Sequence, residues 1–312
     1  MGVPFFNARA VEAAVPPDLA FAAVREAFVA HARGEWTMPP KLYVTNYPAG
    51  DFRAMPALGG GHALLKWVTS FPGNPARGFP TVTGLVVLSD AETGRVQAVL
   101  EAGSVTALRT GAAAVIAADA LGRAEAETAA VVGAGVNGRA AARTFLAFGR
   151  RVALWDVDAA RAREAADELG ADVAASEGDA LAADLLVTVT PGKTILLPEG
   201  SLRAGQHVSL MGADGPGKAE IAVAELRRAR LFCDDWEQAS HGGELAAALA
   251  EGAVGPGDVT ALGAVLTGEA VGRRTDEEIT VFDSTGLAIQ DLAIAIAAYE
   301  HAREFDLPTL EL

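Results

Sequence analysis

The 312 residues predict an α/β protein of about two domains, and three observations carry that prediction. Thr128 to Asp158 reads as strand, glycine turn, helix, strand. From there to Phe282, short apolar runs alternate with helical segments, the pattern of a parallel sheet. Ahead of it, Met38 to Leu100 reads instead as a run of strands, a mostly β region placed before the glycine motif.

Taken in order, Pro16 to Arg33 is predicted as an amphipathic helix. Phe21, Val24 and Phe28 share one face, and Gly34 is the stop signal. Strands are predicted at Leu42–Thr45, Phe52–Ala57, Leu64–Thr69 and Val82–Leu88; Ser89–Gly94 turns the chain and Val96–Leu100 runs back. Lys41, Arg53 and Lys66 punctuate this region, Lys66 within the apolar run Ala63–Val68. An ammonium buried without a partner is costly. Lys66 therefore reads either as a lysine snorkelling from an edge strand or as a cation kept for a carboxylate or for proton transfer. Neighbouring cations and burial would lower its pKa toward neutrality. After the Pro/Gly loop Phe71–Thr83, a helix is predicted over Thr106–Leu121, with small residues for close packing and Gly122 beyond it. Arg109 is expected in its first turn, where a cation is unfavourable unless an anion is near or solvent takes it up.

The central motif has a physical reason for each part. Gly133 permits the tight turn off the first strand, Gly135 lets a pyrophosphate approach the backbone, and Gly138 lets helix and strand pack closely. With Val136 and Asn137 they place a helix N-terminus, with free N–H groups and the positive end of the dipole, beside the phosphates. Asp156 closes the second strand, where a carboxylate accepts a ribose 2′-OH and repels a 2′-phosphate, so NAD is expected rather than NADP. Arg161 and Arg163 remain nearby as groups that would help a 2′-phosphate. Asp158 caps a helix to Leu169. Further strands are predicted at Asp184–Thr190, His207–Met211, Leu231–Cys233 and Glu278–Phe282, with a helix from Glu237 and a last one over Leu287–Arg303. In an open parallel sheet ligands bind beyond the carboxyl ends of the strands. Thr190, Met211, Gly212, Asp214 and Ser284 hold such places. Asp214 is either a turn former or, with Lys66 as partner, an acid/base or water activator. His31, His241 and Lys193 read as edge, helix-cap and loop residues.

Net charge is -15, against a nucleic-acid footprint. An anionic substrate would therefore need a local basic pocket. Cys233 is the single cysteine, so neither an intrachain disulfide nor a cysteine zinc cluster is possible, and no metal is expected. The first residues do not read as a signal peptide. The most apolar helix, Leu287–Tyr299, is broken by Gln290 and Asp291, and no bilayer-spanning segment is expected. A cytoplasmic enzyme fits these features.

Several segments together resemble the ornithine cyclodeaminase and mu-crystallin family, and within it the archaeal-type alanine dehydrogenases. They are Met38–Asn46, Phe52–Ala57, Leu65–Gly84, Thr106–Ala114, Val132–Gly138, Gly212–Glu220, Asp234–Glu244 and Asp276–Asp291. The resemblance implies a homodimer. It implies a Rossmann NAD-binding domain (119–290) inserted in an α+β substrate-binding and dimerisation domain (1–118 with 291–312), with the active site in the cleft. It implies Lys66 as proton donor/acceptor, Asp214 as catalytic aspartate, Lys41, Arg53 and Arg109 at the substrate carboxylate, and Thr81, Arg109, Lys218 and Ser284 beside the cofactor. Arg53 falls where ornithine cyclodeaminases carry a glutamate; a cation there would repel a distal ammonium and suit a compact carboxylate. The activity implied is oxidation of a small L-amino acid, L-alanine foremost, to its 2-oxo acid and ammonia. Ornithine cyclodeamination, cyclic-imine reduction and non-catalytic ligand binding are the alternatives.

Overall fold

The computed structural model describes residues 2–215 and 217–311. Met1 and Leu312, the ends of the expected outer domain, and Pro216, within the Gly212–Lys218 turn, lie outside the described residues. Contacts divide the chain into two compact units, Met1–Arg109 with Leu287–Leu312, and Thr110–Gly286.

The first unit opens with β1 (Val3–Phe6), α1 (Ala8–Ala14) and α2 (Pro17–Ala32). Asn7 caps α1 by accepting from Ala10 N at 3.0 Å, and Pro17 starts α2 where no N–H is needed. Five strands follow: β2 (Leu42–Asn46), β3 (Gly50–Gly59), β4 (His62–Ser70), β5 (Val82–Asp90) and β6 (Val96–Glu101). The Asp90 carboxylate accepts from Thr93 N and Oγ1 at 2.8 and 2.6 Å and closes the predicted turn between β5 and β6. Next comes α3 (Ala102–Leu121), which begins four residues before its expected start. Glu101 makes the difference: its carboxylate accepts from Gly103 N and Ser104 N at 2.6 and 2.7 Å, satisfying donors of the opening turn. Arg109 thus sits two turns into the helix and not in its first turn, where the sequence pattern placed it.

The second unit carries β7 (Thr128–Val132), α4 (Val136–Ala147), β8 (Arg151–Trp155), α5 (Ala159–Leu169), β9 (Asp172–Val173), α6 (Glu177–Leu181), β10 (Leu185–Thr188) and β11 (His207–Leu210). It continues through α7 (Val223–Leu226), β12 (Arg230–Cys233), α8 (Trp236–Gly242), α9 (Leu245–Ala250), β13 (Val259–Ala261), α10 (Leu262–Thr267) and β14 (Thr280–Asp283). Its eight strands are all parallel, in the order β13-β12-β14-β11-β10-β7-β8-β9. The strand order reverses between β7 and β10, the switch point of a Rossmann sheet. The central strands β10, β11 and β14 are buried at every residue, as sheets covered on both faces require. Close packing rests on small residues: a Cβ on Gly111 of α3 would meet the Ala140 carbonyl of α4 at 2.6 Å.

The chain then returns to the first unit with α11 (Ala288–Glu300) and β15 (Thr309–Leu310). There the sheet order is β15-β1-β6-β5-β4-β3-β2, antiparallel except for β1 beside β6. Helix α11 packs on α2 and on β3, β4 and β5. Alternation puts Met55, Ala57, Leu64, Val68, Val86 and Leu88 on the buried face. The opposite face is also apolar and exposed, with Leu42, Val44, Leu65, Trp67 and Leu85.

By length and composition α3 is long and apolar enough to cross a membrane, but 78% of its most apolar 18-residue window is buried in the protein, as in a core helix.

Candidate active site

The polar end of the first unit's buried sheet face holds Asp51 and Arg53 on β3 and Lys66 on β4, in register with apolar Met55 and Val68. Lys66 is 1% exposed. Its Nζ donates to Asp291 Oδ1 at 2.9 Å, and Asp291 is itself fully buried. Arg109 Nε stands 3.6 Å from the same oxygen. Burial lowers the Lys66 pKa from 10.5 to about 8, against the opposing pull of Asp291; the Arg109 and Arg53 cations lower it further. The lysine is therefore neither a snorkelling edge residue nor a permanently charged one.

Helix α11 places Asp291 in its first turn, where a carboxylate suits the dipole. Gln290 fixes the start by accepting from Leu287 N at 3.1 Å. Asp291 was missed as a site residue because it reads as an interruption in an apolar helix. Its signal was available: an acid amid buried Leu and Ala needs a cationic partner. Within their own units, Lys66 is paired with Asp291 and Asp214 with Lys218.

Arg53 is also not a bare cation. Its Nε and one Nη donate to Asp51 at 2.6 and 3.3 Å, both side chains are buried, and its guanidinium lies 5.3 Å from the Tyr43 ring centre. Asp51 offsets part of the charge that the sequence assigned to Arg53. Lys41 is part-exposed, two residues ahead of Tyr43, whose ladder partner is Arg53. Thr81 is in the Pro/Gly loop before β5, and its carbonyl accepts from Phe71 N at 2.8 Å.

In the second unit the glycine turn has the expected shape. Gly133 has φ +106°, a conformation that favours glycine, and a Cβ on Gly138 would collide with the Gly133 carbonyl. Gly135 is the N-cap of α4, with nothing within 4 Å of its Cβ position, and the helix begins at Val136. Asn137 follows in the first turn. Asp156 accepts from Ala134 N and Asp158 N at 2.9 Å each, which fixes its carboxylate beside the turn. Arg161 approaches it at 3.4 Å. Val136 and Val157 are 69% and 84% exposed, and Val157 was not anticipated.

Buried carboxylates wire the carboxyl edge of this sheet. Glu220 accepts from Thr188 Oγ1 at 2.7 Å, from Thr190 N at 2.9 Å and from Thr190 Oγ1. Gly212 leaves room for it, since a Cβ there would strike Glu220. Glu220 N donates to both Glu244 oxygens at 2.9 Å, and Leu245 N donates to Asp283 at 3.1 Å. Asp234 accepts from Ser284 Oγ and Gly286 N at 3.0 and 2.7 Å. Met211 N donates to Thr188 O at 2.8 Å. Burial raises the Glu220 and Asp283 pKa values, and raises that of Glu244 to about 8. Thr190, Gly212 and Ser284 are thus held by acids that the sequence reading did not single out.

The sequence matches the ornithine cyclodeaminase/mu-crystallin family model over residues 5–306. The chain belongs to this family. It is 43% identical over 303 residues to an alanine dehydrogenase of Archaeoglobus fulgidus, covering 94% of this chain and 92% of that one. It superposes on an archaeal alanine dehydrogenase dimer with bound NAD with a TM-score of 0.94, at 39% identity and full coverage of both chains. It also superposes on the Δ1-pyrroline-2-carboxylate reductase of Thermococcus litoralis, solved with NADH and L-proline, with a TM-score of 0.92, 25% identity and coverage of 99% and 100%. Family membership explains why a Rossmann unit follows a β region and why the last helix returns to the first unit.

Proposed function

We propose that this protein is an NAD-dependent dehydrogenase of a small L-amino acid, most simply L-alanine, that also runs in reverse from the 2-oxo acid and ammonia. The observation that carries the reading is buried Lys66, with a pKa of about 8, among Arg109, Arg53 and Asp291. A proton carrier beside fixed guanidinium groups suits an amino acid, whose carboxylate needs cations and whose nitrogen must lose or gain protons. Similarity to alanine dehydrogenases along almost the whole chain favours the same reaction class.

The second unit fits the cofactor. Gly133, Gly135 and Gly138 leave room for a pyrophosphate at the α4 N-terminus, with Val136 and Asn137 in the first turn. Asp156 is fixed for a ribose hydroxyl, Val157 offers apolar surface to an adenine, and Thr81, Thr190, Met211, Gly212, Lys218 and Ser284 are assigned to the remainder. NAD supplies the acceptor for the Cα hydride. Arg53, Lys41 and Arg109 hold the substrate carboxylate. Lys66 moves a proton at the amino nitrogen or the attacking water, and Asp214, ion-paired to Lys218, orients that water.

One observation favours a second reading. The Asp51 carboxylate on Arg53 lessens the repulsion of a distal ammonium, which keeps ornithine as a substrate in play. The test follows NADH absorbance with NAD and L-alanine or L-ornithine at alkaline pH. A rise with alanine alone supports the dehydrogenase. Ammonia and proline from ornithine without accumulating NADH would replace it with a cyclodeaminase.

The exposed apolar face of the first unit's sheet fits a second copy of the chain. Replacing Trp67 and Leu85 by lysine is expected to halve the mass measured by light scattering. An unchanged dimer would refute this assignment of the face.

A further inference from the structure

The cluster around Lys66 is not a closed structural ion pair. Among the described residues, three of its polar atoms are buried without a hydrogen-bond partner: Arg109 Nε, Gln290 Nε2 and Asp291 Oδ2. Native interiors rarely leave such atoms unpaired, and a pair serving stability alone would gain nothing from doing so. Asp291 Oδ1 is shared, taking the Lys66 ammonium at 2.9 Å and facing Arg109 Nε at 3.6 Å.

We propose that Asp291 is a positioning residue of this site: by gripping Lys66 through Oδ1 it fixes where the amine stands and whether it carries its proton, in competition with Arg109. The assignment rests on Lys66 being the proton carrier. Among the described residues, the charged groups that act on Lys66 come from three elements, Asp291 on α11, Arg109 on α3 and Arg53 on β3. Two of these are cations and burial adds to their effect, so Asp291 is the one influence among them that keeps the proton on. Without it the amine is neutral near pH 7 and stays neutral when it should donate. The acid half of the cycle suffers and NAD binding does not.

The chain makes a direct measurement possible, because it has four lysines: Lys41, Lys66, Lys193 and Lys218. Full-length protein with 13Cε-labelled lysine gives one titrating resonance for each, and the resonance lost in Lys66→Ala identifies Lys66. Wild type is expected to titrate near pH 8 at Lys66. Asp291→Asn is expected to lower that value by about one unit or more, a tenfold change in proton affinity. Asp291→Glu, which keeps the charge, is expected to restore most of it. Arg109→Gln, which removes the competitor for Oδ1, is expected to raise it.

In amino-acid turnover, Asp291→Asn is expected to shift the limb of the kcat profile that follows Lys66 by the same amount, with the KM for NAD unchanged. An unmoved Lys66 titration in folded Asp291→Asn overturns the proposal. So does an unmoved titration in Arg109→Gln, which decides the matter if the Asp291 variants do not fold. If no amino acid or imine is turned over, the proposed function fails, but the lysine titrations still decide the role of Asp291.

Discussion

Lys66→Ala is expected to lower amino-acid turnover by about 10²–10⁴-fold, the range for loss of a positioned acid/base, while NAD affinity changes little. The reason is spatial and electrostatic. The amine is the buried group at the polar end of the sheet face with a pKa near working pH. Lys66 is not among the residues fitted to the dinucleotide, whose phosphate and ribose groups are assigned to the turn after β7, the start of α4 and the end of β8. Oxidation of an amine needs Lys66 neutral to take a proton. Wild-type kcat in that direction should therefore rise with pH through about 8, and the variant should lose that limb. The substitution also leaves Asp291 fully buried, with Arg109 3.6 Å away as its remaining cation. Breaking a buried pair on one side costs about 3–5 kcal/mol. Adding Asp291→Asn should recover most of that stability and none of the turnover, which separates chemistry from folding. Near-normal turnover, or loss of NAD binding measured by fluorescence titration, would overturn the assignment.

Glu244→Gln is expected to stabilise the protein at pH 9 relative to wild type, and to do so progressively less as pH falls to 5. Glu244 is buried beside Glu220, and its folded pKa is raised from 4.5 to about 8, chiefly by burial. For a raised carboxyl the sign is fixed. Below pH 4.5 both folded and unfolded chains hold the proton, and the contribution is at its most favourable. Between 4.5 and 8 the unfolded chain releases it and the folded chain does not, so stability falls. Above about 8 the loss is complete, on the order of 3–5 kcal/mol. Glutamine has the shape of the protonated acid and can accept from Glu220 N through its carbonyl, so it avoids the loss. Thermal melts of both proteins at pH 5, 7 and 9 measure the difference, and a gap that does not widen with pH would refute the protonation state given to Glu244. Asp283, also raised by burial, lowers the stability of the wild type in the same direction as pH rises.

The site was unevenly legible. Lys66 stood out because a lysine between Leu65 and Trp67 contradicts its surroundings. Asp51 did not, because an aspartate after Gly50 reads as a turn residue, yet strand alternation carries it to the same buried face as Arg53. Glu220 and Glu244 sit within segments that resemble the family, but nothing in their local sequence shows that both are buried and joined through a backbone N–H. The start of α3 was misplaced because Glu101 ends a strand and caps a helix at once, and neither role excludes the other by composition.

The sequence by itself determined what is local or periodic. It specified the glycine turn, because only glycine fits at positions 133 and 138. It specified the helix cap at Asp158 and the strands that feed a parallel sheet. The motif order was enough to place the chain in its family. Tertiary structure decided which charge meets which. Lys66 and Asp291 are 225 residues apart, and only the return of α11 onto the first sheet brings them to 2.9 Å. Ion pairing depends on distance and on exclusion of water, and neither can be read along a chain.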